Sequence, residues 1–142
     1  MKRILVASDG SPDAERAVDA AARLAKDGRC ELVILTVGGS ITGAELRALA
    51  GKSGDLSKTL ETAARTVLAK ARKRALRIGA PSVREMTAWG EAAEAINDAA
   101  RREKADILVV GRRGRGRLSG LLLGSVSQKV TALAPCPVMV VP

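Results

Sequence analysis

The sequence predicts an α/β domain built on a parallel β-sheet. Short aliphatic runs alternate with segments whose apolar residues recur at helical spacing, the pattern of strands joined by helical crossovers. The runs are continuously apolar, as expected of strands covered on both faces. The hydrophobic share of 46% comes almost wholly from Ala, Val, Leu and Ile, with one Trp and no Phe or Tyr. Such a composition suits helices packed on a Val-rich sheet.

Ile4-Leu5-Val6-Ala7 is the first strand, turned by Asp9-Gly10. Ser11 followed by Pro12 starts a helix, because Ser accepts from orphan N–H groups and Pro fills a position that needs no donor. Ala14, Ala17, Val18, Ala21, Leu24 and Ala25 share one face of that helix, and Gly28 is expected to close it. Leu32–Val37 is the second buried strand, so the chain opens as a right-handed βαβ unit. Residues 38–57 carry five glycines (Gly38, Gly39, Gly43, Gly51 and Gly54) in a polar stretch, with Leu46, Leu49 and Ala50 spaced for a short helical turn. A long helix follows from about Leu56 to Ile78, with Leu60, Ala64, Val67, Leu68, Ala71 and Ala75 inward, and Gly79-Ala80-Pro81 ends it. Val83–Thr87 is a more polar strand, which suggests a sheet edge. Gly90 leads to a helix carrying Ala92, Ala95, Ile96 and Ala99. Strand Ile107–Val110, a glycine loop, a helix from Ser125 to about Leu133 and strand Pro137–Val141 complete the order.

A chain of 142 residues is expected to form one domain over 1–142 with a real core. Its 24 basic and 15 acidic residues give a net charge of +9, which favours anionic partners without specifying a fold. Lys70, Arg72, Lys73, Arg74 and Arg77 fall on one helix and read as a solvated basic face, a simpler account of the charge than a nucleic-acid site. The near absence of aromatics also argues against base stacking as in single-strand binders. Histidine is absent, which removes Ser-His-Asp and Cys-His catalysis and His-ligated zinc. Cys30 and Cys136 lack CxxC spacing and read as two buried thiols of a reduced, cytoplasmic protein. Met1-Lys2-Arg3 does not begin a signal peptide, and no apolar run reaches transmembrane length.

The most informative segment follows the fourth strand. Val110 runs into Gly111-Arg112-Arg113-Gly114, then nine residues, then Gly124-Ser125-Val126-Ser127 at a helix start. Glycines let the backbone approach a ligand, and a helix N-terminus offers unpaired N–H groups and a positive dipole end to an anion. Arg112, Arg113, Arg115 and Arg117 add fixed positive charge. The local reading is a phosphate-binding loop. It is not a Walker loop, because GxxxxGK[ST] is absent, and Gly114-x-Gly116 followed by Gly120 misses GxGxxG by one residue. In an open α/β sheet, ligands bind beyond the carboxyl ends of the strands where strand order reverses. If strands one and four are neighbours, Asp9 faces the phosphate loop. There it could orient a ribose hydroxyl or hold a metal on phosphates, or simply end the strand in an Asx-turn.

Gly111-x-x-Gly114, nine residues and Gly124-Ser125 resemble the motif of the nucleotide-binding universal stress proteins. The resemblance covers the whole chain, from Ile4–Ser11 through Gly90 and Ile96 to Pro135–Val141. It implies a three-layer sandwich with a five-stranded parallel sheet in order 3-2-1-4-5 and two helices on each face. It also implies ATP or AMP at the ends of strands one and four, with Mg²⁺ accompanying the nucleotide. Asp9 would contact the ribose region, flanked by Ala7 and Ser8, and Val37 would meet adenine through its backbone. Val110, Gly111, Arg112 and Gly114 would line ribose and phosphates, and Gly124, Ser125, Val126 and Ser127 would hold phosphate oxygens. Relatives often place a Ser-His or similar pair where this chain has Arg112-Arg113. No catalytic residue is assigned, and at most slow hydrolysis is expected, because no group to activate or position water is evident.

The expected function is therefore an adenine-nucleotide-binding regulator in stress adaptation. The alternatives are a nucleotide-free interaction protein of the same fold and, with less support, a basic nucleic-acid binder. Val138-Met139-Val140-Val141 carries no charge and should be an exposed edge strand. A two-fold dimer through that strand is the simplest closed solution, and the resemblance points the same way.

Overall fold

The computed structural model describes residues 1–38, 56–114 and 123–142. The expected helical turn at Leu46–Ala50, the glycines from Gly39 to Gly54, and Arg115, Gly116, Arg117 and Gly120 lie outside the described residues. The described elements run β1 (Arg3–Ala7), α1 (Pro12–Gly28), β2 (Glu31–Val37), α2 (Leu56–Ile78), β3 (Ser82–Ala88), α3 (Ala92–Arg102), β4 (Ile107–Gly111), α4 (Ser125–Leu133) and β5 (Val138–Val141). They build a five-stranded sheet in order β3-β2-β1-β4-β5, and every pairing is parallel.

Period-two alternation divides the strand side chains between two cores. Ile4, Val6, Leu32, Ile34 and Val109 pack against α1 and α2. Leu5, Val33, Leu35, Leu108 and Val110 pack against α3 and α4. Two helices therefore cover each face. Ile4, Leu5, Leu32, Ile34, Leu35 and Leu108 are fully buried, each stabilising the fold by about 1.5–3 kcal/mol. The helices present mostly alanines to the sheet, namely Ala14, Ala17, Ala21, Ala22 and Ala25 from α1. Small side chains bring these helices close, which explains how the core closes without aromatics.

Helix ends follow the sequence in part. Ser11 caps α1 by accepting from the Ala14 N–H at 3.3 Å, with Pro12 in the first turn. The close of α1 differs from expectation: Gly28 is its last helical residue, and Arg29 takes the left-handed position at φ 52°. Gly28 has a packing role instead, since Cys30 Sγ lies 2.8 Å from where its Cβ would stand. Helix α3 is capped by Glu91, whose carboxylate accepts from Ala93 and Glu94 N–H groups at 3.3 and 2.9 Å. Those bonds, the one from Glu94 foremost, hold the Glu91 carboxyl below its ordinary pKa.

The basic face of α2 is not merely solvated. Arg74 donates to Asp19 of α1 at 2.5 and 2.9 Å, Lys70 pairs with Glu15 at 2.9 Å, and Arg72 donates to the Val83 carbonyl at 2.8 Å. Acidic residues on α1 answer this charge across the helix pair. The thiols also differ from one another. Cys30 is buried and Cys136 only half-buried, and both are free.

At the amino ends of the strands, charged groups form a closed network. Glu31 accepts from Arg3 Nε at 2.7 Å and from Arg84 Nε at 2.8 Å. Glu103 pairs with Arg84 and, at 3.7 Å, with Arg3. Asp106 receives the Lys2 and Arg3 N–H groups at 2.7 and 2.9 Å. The network ties β1, β2, β3 and the end of α3 together. Hydrogen bonds from Arg84, then Arg3, lower the Glu31 pKa, and Arg84 is the leading cause of the same shift at Glu103.

Candidate functional site

Strand order reverses at β1, whose neighbours are β2 and β4. The crevice beyond their carboxyl ends collects the acidic turn after β1, the end of β2, the glycine loop after β4 and the start of α4. Register sets the levels. Ala7 pairs with Leu35, so Asp9 stands level with Val37, and Val6 pairs with Val109, so Val110 stands level with Ala7. Ser8 extends the ladder by donating its N–H to the Leu35 carbonyl at 2.8 Å.

The acidic turn is internally fixed. Asp9 Oδ1 accepts from the Ser11 N–H at 2.9 Å, and the Ser8 hydroxyl accepts from the Gly10 N–H at 3.3 Å. Asp9 does form the Asx-turn, and it also faces the glycine loop. A Cβ on Gly114 would lie 2.7 Å from Asp9 Oδ2, so the close approach depends on glycine.

The loop itself is seated by backbone contacts. A Cβ on Gly111 would lie 2.8 Å from the Asp13 carbonyl carbon, so this glycine lets β4 pass beneath the first turn of α1. Arg112 N–H donates to the Val141 carbonyl at 2.6 Å, and Gly124 N–H donates to the Arg112 carbonyl at 2.8 Å. The Ser127 hydroxyl lies 2.7 Å from the Gly111 carbonyl and 3.2 Å from that of Arg112. Asp13 Oδ2 accepts from the Arg113 N–H at 3.1 Å. Sequence reasoning missed Asp13, which belongs to no motif and stands 100 positions from the residue it holds.

Gly124 caps α4 without a side-chain hydrogen bond. The first-turn N–H groups of Ser125, Val126 and Ser127 have no intrahelical acceptor. Ser127 is buried, whereas Ser125 and Val126 are exposed. Among the described residues, Arg112 Nε is buried with no hydrogen-bond partner, which leaves a charged donor in want of an acceptor. A crevice of about 190 Å³ runs sideways from Ser8 and Gly10 between α1 and α2, beneath Glu15, Lys70 and Arg74.

The structure therefore gathers Asp9 with Gly114, and Gly111 and Arg112 with Gly124 and Ser127. Ala7, Ser8, Val37 and Val110 occupy the ends of three adjacent strands. Among the described residues, no group of three or more carboxylate, thiol or imidazole side chains converges on a point. No helix among them is long and apolar enough to cross a membrane.

The profile described as the universal stress protein family matches residues 1–142. The chain is similar to universal stress protein YxiE of Bacillus subtilis, 34% identical over 145 residues covering 98% of this chain and 97% of that protein. A crystal structure of a universal stress protein in complex with cAMP aligns with TM-score 0.74 and 28% identity, covering 99% of this chain and 95% of that one. Universal stress protein UspA from Lactobacillus plantarum aligns with TM-score 0.79 and 25% identity, covering 99% and 97%.

Proposed function

Because the chain belongs to the universal stress protein family, we propose that it binds an adenine nucleotide, ATP with Mg²⁺ or AMP, and acts as a nucleotide-dependent regulator rather than an enzyme. The observation that carries this reading is the approach of Asp9 Oδ2 to within 2.7 Å of the missing Gly114 Cβ. It sets an acidic group for ribose or a phosphate-bound cation against a side-chain-free backbone. The uncapped α4 N-terminus supplies N–H groups to phosphate, and the orphaned Arg112 Nε supplies a charge-assisted donor. The cAMP complex of a relative supports the same ligand class.

Asp9, Gly114, Gly124, Ser125 and Val126 would hold ribose and phosphates, and Ser127 would contribute its N–H while its hydroxyl braces the loop. Ala7, Ser8, Val37 and Val110 would form the floor and base end. Bound Mg²⁺ would screen phosphate charge, held by phosphate oxygens and Asp9. Efficient hydrolysis needs a group to activate or position water. Both carboxylates beside the loop already accept backbone N–H groups, Asp9 from Ser11 and Asp13 from Arg113, so at most slow turnover is expected. Calorimetry with Mg-ATP tests the reading. One site per chain with thermal stabilisation is expected, and no heat at millimolar ATP would overturn it.

The same family reading extends to assembly. The chain would act as one domain that pairs through β5, in the cytoplasm, with neither membrane nor nucleic acid as a partner.

A further inference from the structure

Trp89 is the only aromatic residue of the chain, and it is 52% exposed. It follows β3 directly, at the carboxyl edge of the sheet. Its six-membered ring lies over the backbone of Gly38, where an added Cβ would stand 2.2–2.6 Å from three ring carbons. Gly38 is itself fixed, donating its N–H to the Ala88 carbonyl at 2.8 Å. The indole is thus seated on the residue after Val37, with half of its surface open.

The row of strand ends gives this placement a scale. From β3 through β2 and β1 to β4 there are three strand spacings, about 14 Å, the length of an extended nucleotide. A phosphate group at the β4 loop and α4 would send its base along the row toward Val37 and Trp89. A lone exposed apolar residue needs no explanation. This one is the sole π-surface of the molecule, mounted on a glycine that admits it, at the base end of the candidate site.

We propose that Trp89 is a specificity residue that walls the base end of the site and contacts the purine ring. The proposal rests on the nucleotide reading above and adds the group that reads the base. Emission from the intact protein comes from this residue alone, since the chain holds no other Trp and no Tyr.

The test titrates the full chain with Mg-ATP and with inorganic tripolyphosphate, following emission and calorimetric heat together. Emission should change saturably with ATP, at the calorimetric Kd, and stay constant with tripolyphosphate. Trp89→Ala should weaken ATP about tenfold, the order expected of one base–aromatic contact. Trp89→Phe should retain most of the affinity. If ATP binds calorimetrically but neither emission nor Trp89→Ala affinity responds, Trp89 lies outside the site and the nucleotide reading stands. An equal emission change with tripolyphosphate would show a shape change without base contact and overturn the proposal. If ATP gives no heat, both readings fall.

Discussion

Asp13 and Arg113 are joined across 100 positions of chain by a hydrogen bond from the Arg113 backbone N–H to Asp13 Oδ2 at 3.1 Å. The bond pins the glycine loop to the first turn of α1. Asp13 also pairs with Arg16, so its carboxylate is held from its own helix while it holds the loop. Asp13→Ala should leave the loop less ordered and weaken Mg-ATP about tenfold, since a hydrogen bond to a charged group contributes about 1.5–3 kcal/mol. Calorimetry beside a thermal melt checks this. A variant that melts early yet binds normally would show that Asp13 serves the helix and not the loop.

Two glycines of the loop should respond differently to a methyl group. At Gly111 the new Cβ would meet backbone atoms of Asp13 and Ala14 at 2.8 and 3.0 Å. Backbone there cannot yield without moving α1, so Gly111→Ala should destabilise the protein by about 1–3 kcal/mol. At Gly114 the obstacle is a side-chain tip, Asp9 Oδ2, which can yield by loosening the Asx-turn bond to Ser11 without moving a helix. Gly114→Ala should keep the fold and lose nucleotide affinity. Denaturant melts and calorimetry on both variants separate the two effects, and equal stability would contradict the packing argument.

Acid should undo the network at the amino ends of the strands. Glu31 and Glu103 have folded-state pKa values below their ordinary 4.5, chiefly through hydrogen bonds from Arg84. A depressed carboxylate pKa stabilises the fold fully above the unfolded value and loses that contribution as pH falls through the folded value. Stability should therefore be level near neutrality with respect to these groups and decline below about pH 4.5. Arg84→Met should flatten that decline. Urea midpoints measured from pH 3 to 7 decide it, and an unchanged slope in the variant would count against the network.

Assembly through β5 should depend on backbone donors. Leu108 N–H bonds the Pro137 carbonyl and Arg112 N–H bonds that of Val141. By the alternation of a parallel ladder, the polar groups of Val138 and Val140 face away from β4. Val140→Pro removes an outward donor and spares the ladder to β4. The parent should scatter light as a dimer at micromolar concentration and the variant as a monomer. A monomeric parent would remove the expectation.

Much of this architecture could be read from the chain because continuously apolar runs and helical spacing are local signals. Strand order 3-2-1-4-5 was not local and came from the family resemblance, as did the proposal that Val37 meets the base. Glycine spacing was read as backbone approaching a ligand, whereas the close approaches seen in the structure are to the protein's own atoms. Spacing could not say what approaches: the Asp9 tip at Gly114, but the α1 backbone at Gly111. Arg29 took the left-handed cap, and Gly28 proved to be glycine because Cys30 packs against it, a contact set by tertiary structure. The charges on α2 looked solvated because their partners, Glu15 and Asp19, lie some 55 residues away in sequence. Asp13 and Trp89 carried no motif at all.

The ring of charges formed by Arg3, Glu31, Arg84 and Glu103 stands at the opposite end of the strands from the ligand crevice. Under the proposed nucleotide reading, holding the sheet in register and choosing a ligand fall to different residues. Substitutions around Asp9, Gly114 or Trp89 would then retune what is bound while the strands keep their anchorage. A change of ligand would then leave the folding problem already solved.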